Sequence, residues 1–349
     1  MKLLIFGAGA IGTYIGGSLA ANGNLVFYFD RKEMVSRIRQ TGIKIHKADN
    51  TTISLDKPNI SSDLADLLKA ENFDCAIFAV KSFDTESLIH QVIEYQSQIP
   101  PIVCLQNGVE NEITLKKLLP SVEIIAGSVT TAIGKTSDNE IVVEKLRGIG
   151  IENKGSLSKR FVNEMNRSGL KAKLFNNAND MKWSKMVTNL TSNAMSAILG
   201  MTPAEILDNN QLYSLEIEQL REALRVMQAF HFNIVDLPGT PVRLFCWVVK
   251  YLPPSISKKI LVPFIAKGRG AKMPSFYIDL ESGRGKSEVE FLNGAVVRFG
   301  EKSKVSTPVN LFLTDTLIAL TEGRIERSEY LHQPEKVIDH FVNYGLIKK

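Results

Sequence analysis

The chain has 349 residues, 44% of them apolar, with 42 Lys and Arg against 37 Asp and Glu. That length exceeds one hydrophobic core and predicts two domains. The net charge of +5 suits anionic small molecules, and the absence of a dense basic block speaks against a nucleic-acid partner. No apolar run reaches the ~18 residues that a membrane span needs. Cys75, Cys104 and Cys246 are odd in number and widely spaced, so they read as small core residues in a reducing, cytoplasmic compartment. The histidines, at 46, 90, 231, 332 and 340, fall in no ligand pattern, and no metal is expected.

Residues 1–6 read as an apolar strand, and Gly7-Ala8-Gly9-Ala10-Ile11-Gly12 follows at once. An amphipathic helix over 13–21 and a second apolar strand over 25–29 come next, and the strand ends in Asp30-Arg31. Strand, G-x-G-x-x-G, helix, strand is the setting in which this motif binds a dinucleotide. Gly7 permits the tight turn, Gly9 lets the backbone approach a pyrophosphate, and Gly12 lets helix and strand pack closely. The helix N-terminus adds N–H groups and a favourable dipole for phosphate. A cleaved secretory signal is not expected, because glycines interrupt its apolar core and its removal would delete the first strand. Asp30 and Arg31 leave the cofactor open: an acid here binds the ribose hydroxyls of NAD, whereas an arginine accommodates the 2′-phosphate of NADP.

Residues 73–80 and 101–105 read as buried parallel strands. Ligands of such sheets bind beyond the strand carboxyl ends, which makes Lys81 and Asn107 cofactor candidates. A solvated loop lysine and an ordinary Asn-Gly turn are the simpler alternatives. Strand-like runs at 124–133 and 140–151, a helix at 157–167 and a strand at 171–175 complete a first domain, 1–176.

The second domain, 177–349, is helical, with helices expected at 178–199, 203–207, 210–231, 240–251, 272–283, 286–302, 307–321 and 334–344. The first of these has an unusual polar side. At about 100° per residue, Lys185, Asn189, Ser192, Asn193 and Ser196 share one face, and only the lysine is charged. Asn and Ser are poor helix formers because their side chains compete for backbone hydrogen bonds. Such a face suits a cleft wall for an anionic, oxygen-rich molecule; a half-exposed helix packed on a loop is the alternative. The apolar segments within 240–270, punctuated by Pro253-Pro254, fit an extra helical hairpin, a lid, a dimer contact or a membrane-surface patch.

The chain resembles the ketopantoate reductase (2-dehydropantoate 2-reductase) family over nearly its whole length. The resemblance rests on GAGAIG at 7–12, the Lys81 turn, QNG at 106–108, WSKMVTNLTSN at 183–193 and SEVEFLNG at 287–294. It implies an α/β protein: an N-terminal Rossmann-type dinucleotide-binding domain, then an all-helical C-terminal domain like that of 6-phosphogluconate dehydrogenase. It also implies an NADP-dependent oxidoreductase acting on CH–OH groups, which reduces ketopantoate to pantoate in pantothenate biosynthesis, a step toward coenzyme A. Lys185 then becomes the catalytic proton donor. Asn107, Asn189, Asn193, Ser275 and Glu288 become substrate-binding residues, Glu288 by pairing with Lys185 or with a substrate hydroxyl. Gly7, Ala8, Gly9, Ala10, Ile11, Gly12, Arg31, Lys81 and Asn107 become the contacts of NADPH. The loop Gly283-Arg284-Gly285-Lys286 is one residue longer than the family spacing, and the 240–270 segment is enlarged. Three alternatives stay open on those departures: another bulky 2-keto acid, an opine-type dehydrogenase, or a non-catalytic NADPH-binding sensor. A homodimer through the apolar segment stays open too.

Overall fold

Leu3, Ile5 and Leu4, Phe6 enter two different cores, one on each side of the strand that carries them. A strand covered on both faces has no polar side to alternate with, which is why its sequence is continuously apolar. The structure is a computed structural model that describes residues 1–137, 139–269 and 272–347. By its internal contacts the chain divides into two units, Met1–Lys182 with Asp236–Thr240, and Trp183–Val235 with Pro241–Lys349.

The strands of the first unit are β1 (Lys2–Phe6), β2 (Leu25–Phe29), β3 (Ile43–His46), β4 (Thr52–Leu55), β5 (Asn59–Ser61) and β6 (Cys75–Phe78). They continue with β7 (Ile102–Cys104), β8 (Ile124–Val129), β9 (Ala132–Lys135), β10 (Glu140–Lys145), β11 (Ile149–Glu152) and β12 (Ala172–Phe175). Eight strands make one sheet in the order β12-β11-β8-β7-β6-β1-β2-β5. Its neighbours run parallel except β8 with β11. The order reverses at β1, which has β2 on one side and β6 on the other, and that is the switch point at which doubly wound sheets bind nucleotides.

A second sheet, β4-β3-β10-β9, was not expected. Each strand-like run, 124–133 and 140–151, splits between the two sheets. The split comes where Thr130 and Thr131 both donate backbone N–H to Gly148 O, and Gly148 takes φ +137. The side chain of Thr131 in turn accepts from the N–H of Arg147 and Gly148. All three cysteines are buried and none forms a disulfide, and burial pushes the Cys75 thiol up to about 12.

The second unit is helical, with no strand among its described residues. The long helix Asn210–Ala229 is its centre, and Pro203–Asp208, Val242–Tyr251, Pro254–Arg269, Asn293–Ser303 and Pro308–Thr321 all pack on it. Two expected helices are broken. The one over 178–199 stops at Leu190 and restarts at Asn193, with Ser192 between them in the left-handed region at φ +53. The one over 286–302 begins only at Asn293; Glu288–Phe291 is a separate 3-10 turn. A further helix, Pro254–Arg269, opens with Pro254 in its first turn, where a missing N–H costs nothing. No helix among the described residues is long and apolar enough to cross a membrane. The chain is thus an α/β protein, a Rossmann-type sheet unit followed by an all-helical one.

Candidate active site

The carboxyl ends of four adjacent parallel strands, β2, β1, β6 and β7, carry Arg31, the glycine turn, Lys81 and Asn107. At ~4.8 Å per strand spacing they cover about 14 Å, the scale of an extended dinucleotide. The glycine turn shows why each glycine is needed. Gly7 sits at φ +96, and a Cβ there would lie 2.8 Å from Val80 Cγ1. A Cβ on Gly12 would run into the Gly7 carbonyl oxygen. A Cβ on Gly9, in contrast, would meet no protein atom within 4 Å. Gly9 caps the helix Ala10–Ala21 without a side-chain hydrogen bond, and the first turn holds no acid. A 12-residue helix therefore starts without a side-chain cap and without an acid in its own first turn, which suits a pyrophosphate.

Asp30 is engaged with this turn. Its Oδ2 accepts from Ala8 N at 2.6 Å and its Oδ1 from Arg31 N at 2.7 Å. The Arg31 side chain, 74% exposed, reaches into solvent with its Nε 4.0 Å from Asp30 Oδ1. At the neighbouring strand ends, Ser82 Oγ donates to Asn107 O at 3.0 Å, and Gln106 Nε2 donates to Val80 O at 3.0 Å and Thr85 Oγ1 at 2.7 Å. The turns that carry Lys81 and Asn107 are thereby laced together.

Lys182 was missed by the sequence reading. Its buried Nζ lies 2.7 Å from Glu112 Oε1 and donates to Gln106 O at 2.7 Å and Gly127 O at 3.3 Å. A lysine one turn before Met186, in the apolar stripe of its helix, was the available signal. Breaking such a buried pair leaves an uncompensated charge and typically costs ~3–5 kcal/mol.

In the second unit the structure brings Asn189, Asn193 and Ser275 together. Asn193 Nδ2 is 3.3 Å from Asn189 O and 3.4 Å from Ser275 Oγ, and its Oδ1 accepts from Phe276 N at 3.1 Å. Lys185 stands one turn before Asn189 on the helix Ala178–Leu190. Glu288, 2% exposed, lies in the 3-10 turn that packs on the helix Ser275–Glu281. Ser192, Asn193 and Ser196 are fully buried, so much of the uncharged face expected on one helix is interior.

A buried polar chain explains the helix break. Ser192 N donates to Glu216 Oε2 at 2.7 Å, and Gln219 Nε2 donates to the same oxygen at 2.6 Å. Asn293 Nδ2 continues the chain to Gln219 Oε1 at 3.1 Å and Asn310 Oδ1 at 3.0 Å. Glu222 closes it, accepting from Val309 N, Asn310 N and Asn310 Nδ2 at the start of the helix Pro308–Thr321. Burial outweighs these three donors and pushes the Glu222 carboxyl up to about 7. Asn293 is the asparagine of the SEVEFLNG stretch, so that motif serves the interior as well as any ligand.

The models of the ketopantoate reductase PanE/ApbA family match residues 3–154, and those of its C-terminal domain match 177–321. The chain belongs to the ketopantoate reductase PanE/ApbA family. That places it among oxidoreductases that act on CH–OH groups with a nicotinamide dinucleotide. Curated relatives include a 2-dehydropantoate 2-reductase of Pyrococcus horikoshii, 25% identical over 90% of this chain and 95% of that protein. Another, of Lactococcus lactis, is also 25% identical, over 90% and 96%. Among solved structures, a PanE/ApbA family ketopantoate reductase of Ralstonia eutropha shares the fold, at TM-score 0.77 and 24% identity over 93% of this chain and 99% of that one. So does a D-mandelate dehydrogenase solved with NADH and anilino(oxo)acetate, at TM-score 0.75 and 23% identity over 93% and 99%.

Proposed function

We propose that this chain reduces 2-dehydropantoate to pantoate with NADPH, and that Lys185 gives the proton to the C2 oxygen. The observation that carries the reading is one of exposure. From Met181 to Leu199 every residue is buried except Lys185, Thr188 and Asn189. The helix therefore shows one ammonium and one carboxamide a single turn apart, on the same face.

When bound, the dinucleotide supplies the hydride to C2. Negative charge develops on the carbonyl oxygen as it arrives, and the Lys185 ammonium stabilises that charge and delivers the proton. Asn189 holds the substrate beside it, and the Ser275 hydroxyl takes the substrate carboxylate. Asn193 keeps Asn189 and Ser275 in register through its own carboxamide. Glu288 is buried in the turn that packs on Ser275–Glu281; in this reading it serves a substrate hydroxyl or Lys185. On the nucleotide side, the first turn of Ala10–Ala21 receives the pyrophosphate, with Lys81 and Asn107 at the adjoining strand ends. Arg31 takes the 2′-phosphate, a role supported by its exposure and by the engagement of both Asp30 oxygens with backbone N–H groups.

Steady-state assay of 2-dehydropantoate and a panel of bulkier 2-keto acids, each with NADPH and NADH, tests this reading. Turnover with 2-dehydropantoate and NADPH, lost in Lys185→Ala while NADPH binding persists, supports it. Faster turnover of a bulkier keto acid replaces the substrate, comparable turnover with NADH replaces the cofactor, and an active Lys185→Ala removes the lysine from its role.

A further inference from the structure

Between Leu237 and Ile278 the chain contains seven of its 42 Lys and Arg and none of its 37 Asp and Glu. The rest of the molecule carries 35 basic side chains against 37 acidic ones, so the whole positive excess resides in this stretch. The same stretch is where apolar side chains face solvent. Leu244, Trp247, Tyr251, Ile256 and Ile260 are each 47–61% exposed, and with Ile278 they make six of the twelve exposed large hydrophobics among the described residues.

They fall on consecutive helices with a consistent geometry. In Val242–Tyr251, Phe245, Cys246, Val248 and Val249 are buried, and Leu244, Trp247 and Tyr251 follow one another at i, i+3 and i+7 on the outer face. In Pro254–Arg269, Ser257 and Leu261 are buried, and Ile256 and Ile260 point outward. The two helices pack on one another and both pack on Asn210–Ala229. Exposed Lys250 and Lys259 flank the apolar rows, and the Lys250 ammonium stands 5.3 Å from the Tyr251 ring.

We propose that this helical pair docks on an anionic lipid surface. Charge complementarity selects that occupant: outward apolar rows flanked by cations, with no acid in either helix of the pair, match the two contributions that hold an interfacial helix. Trp247 and Tyr251 supply the amphipathic rings that favour the headgroup level, and the lysine stems snorkel beside them. A second copy is a poor match, because a two-fold contact would set these cations against themselves. Since no described helix can cross a bilayer, the attachment is peripheral.

The chain provides its own reporter, since Trp183 is 1% exposed and Trp247, the other of its two tryptophans, is 52% exposed. The full-length protein is mixed with vesicles of phosphatidylglycerol and phosphatidylcholine, and with phosphatidylcholine vesicles alone. The expected result is co-sedimentation with the anionic vesicles only, weakened by salt, with a blue shift of Trp247 emission and protection from acrylamide. Trp247→Ser with Leu244→Ser should cut the partition coefficient by about tenfold or more. Lys250→Glu with Lys259→Glu should abolish the preference for anionic lipid. These exposed substitutions should leave thermal unfolding unchanged. No sedimentation with anionic vesicles would overturn the proposal. So would a concentration-dependent dimer in lipid-free buffer that shields Trp247 and is lost on Trp247→Ser, which would give the face to a second copy.

Discussion

The two units present their candidate binding groups in opposite ways. The first uses backbone: a glycine turn, an uncapped helix start, and strand ends tied by Ser82, Gln106 and Asp30. The second offers side chains, the proposed Lys185, Asn189, Ser275 and Glu288, in a unit whose interior holds a buried polar chain from Ser192 to Glu222. A backbone site depends on the room that a missing Cβ leaves. A side-chain site depends on interior hydrogen bonds, each of which is costly to leave unmade. The contrast predicts which substitutions damage stability and which damage only function.

The largest effect belongs to the side-chain site. Lys185→Ala should lower the turnover of the reducible substrate by ~10²–10⁴-fold, the usual contribution of a positioned general acid. Its thermal midpoint and NADPH binding should match wild type, as measured by calorimetry and by nucleotide fluorescence titration. If nucleotide binding falls in parallel, the lysine belongs to the cofactor and the division of labour fails.

The interior chain gives the next effect, and it depends on pH. The Glu222 carboxyl is raised to about 7 in the folded protein by burial, against an ordinary value of 4.5. Between those values the folded state holds more protons than the unfolded state, so stability should fall as pH rises. The stabilisation is fully present below pH 4.5 and is lost as pH approaches 7, with about 3 kcal/mol at stake over that window. Glu222→Gln should flatten this part of the profile in urea titrations at several pH values. It should also cost ~1–3 kcal/mol throughout, because its amide N–H₂ faces groups that themselves donate.

What could be read in the sequence follows the same division. The dinucleotide half is legible because Gly7, Gly9, Gly12 and the strands around them act within 30 residues of chain, through local sterics that residue types report directly. The helical half was legible in composition, as an uncharged polar face around Lys185, but not in shape. The periodicity of 178–199 is continuous, yet Glu216, 24 residues onward, captures the N–H of Ser192 and fixes the break. Asn193 meets Ser275 across 82 residues, and Glu222 meets Asn310 across 88. Such partners leave no mark in a local pattern. The SEVEFLNG stretch carries the same lesson, since its asparagine donates to Gln219 and Asn310, and the helix starts there instead of at Lys286. The second sheet escaped notice because β3 and β4 have only 4 residues each, too short for a periodicity to register.

A pair of glycine variants sharpens the contrast within the backbone site. Gly12→Ala places its Cβ against the Gly7 carbonyl, so it should cost about 2 kcal/mol of stability through overpacking and reduce nucleotide affinity with it. Gly9→Ala meets no protein atom within 4 Å, so its thermal midpoint should equal wild type. Its NADPH affinity should nonetheless drop, since the space beside Gly9 is the proposed approach of the pyrophosphate. Unchanged affinity in Gly9→Ala would mean that the phosphates lie elsewhere, whatever becomes of Gly12.

The smallest expected effect falls on Arg31, the side chain proposed to set cofactor selectivity. Arg31 follows an aspartate that, in the NAD pattern, binds both ribose hydroxyls. Here the two Asp30 oxygens are 2.6 and 2.7 Å from backbone N–H groups of Ala8 and Arg31, so the carboxylate shapes the glycine turn. A 2′-phosphate would then meet an exposed guanidinium more readily than a ribose hydroxyl would meet a free acceptor. Arg31→Ala should weaken NADPH by about tenfold, the scale of one charge-assisted contact at an exposed position. NADH should be unaffected, and added salt should narrow the difference between the two cofactors in wild type. Asp30→Asn separates the remaining possibilities. If Asp30 serves the turn, its loss should weaken both cofactors together by removing an acceptor from Ala8 N–H; if it serves the ribose, NADH alone should suffer.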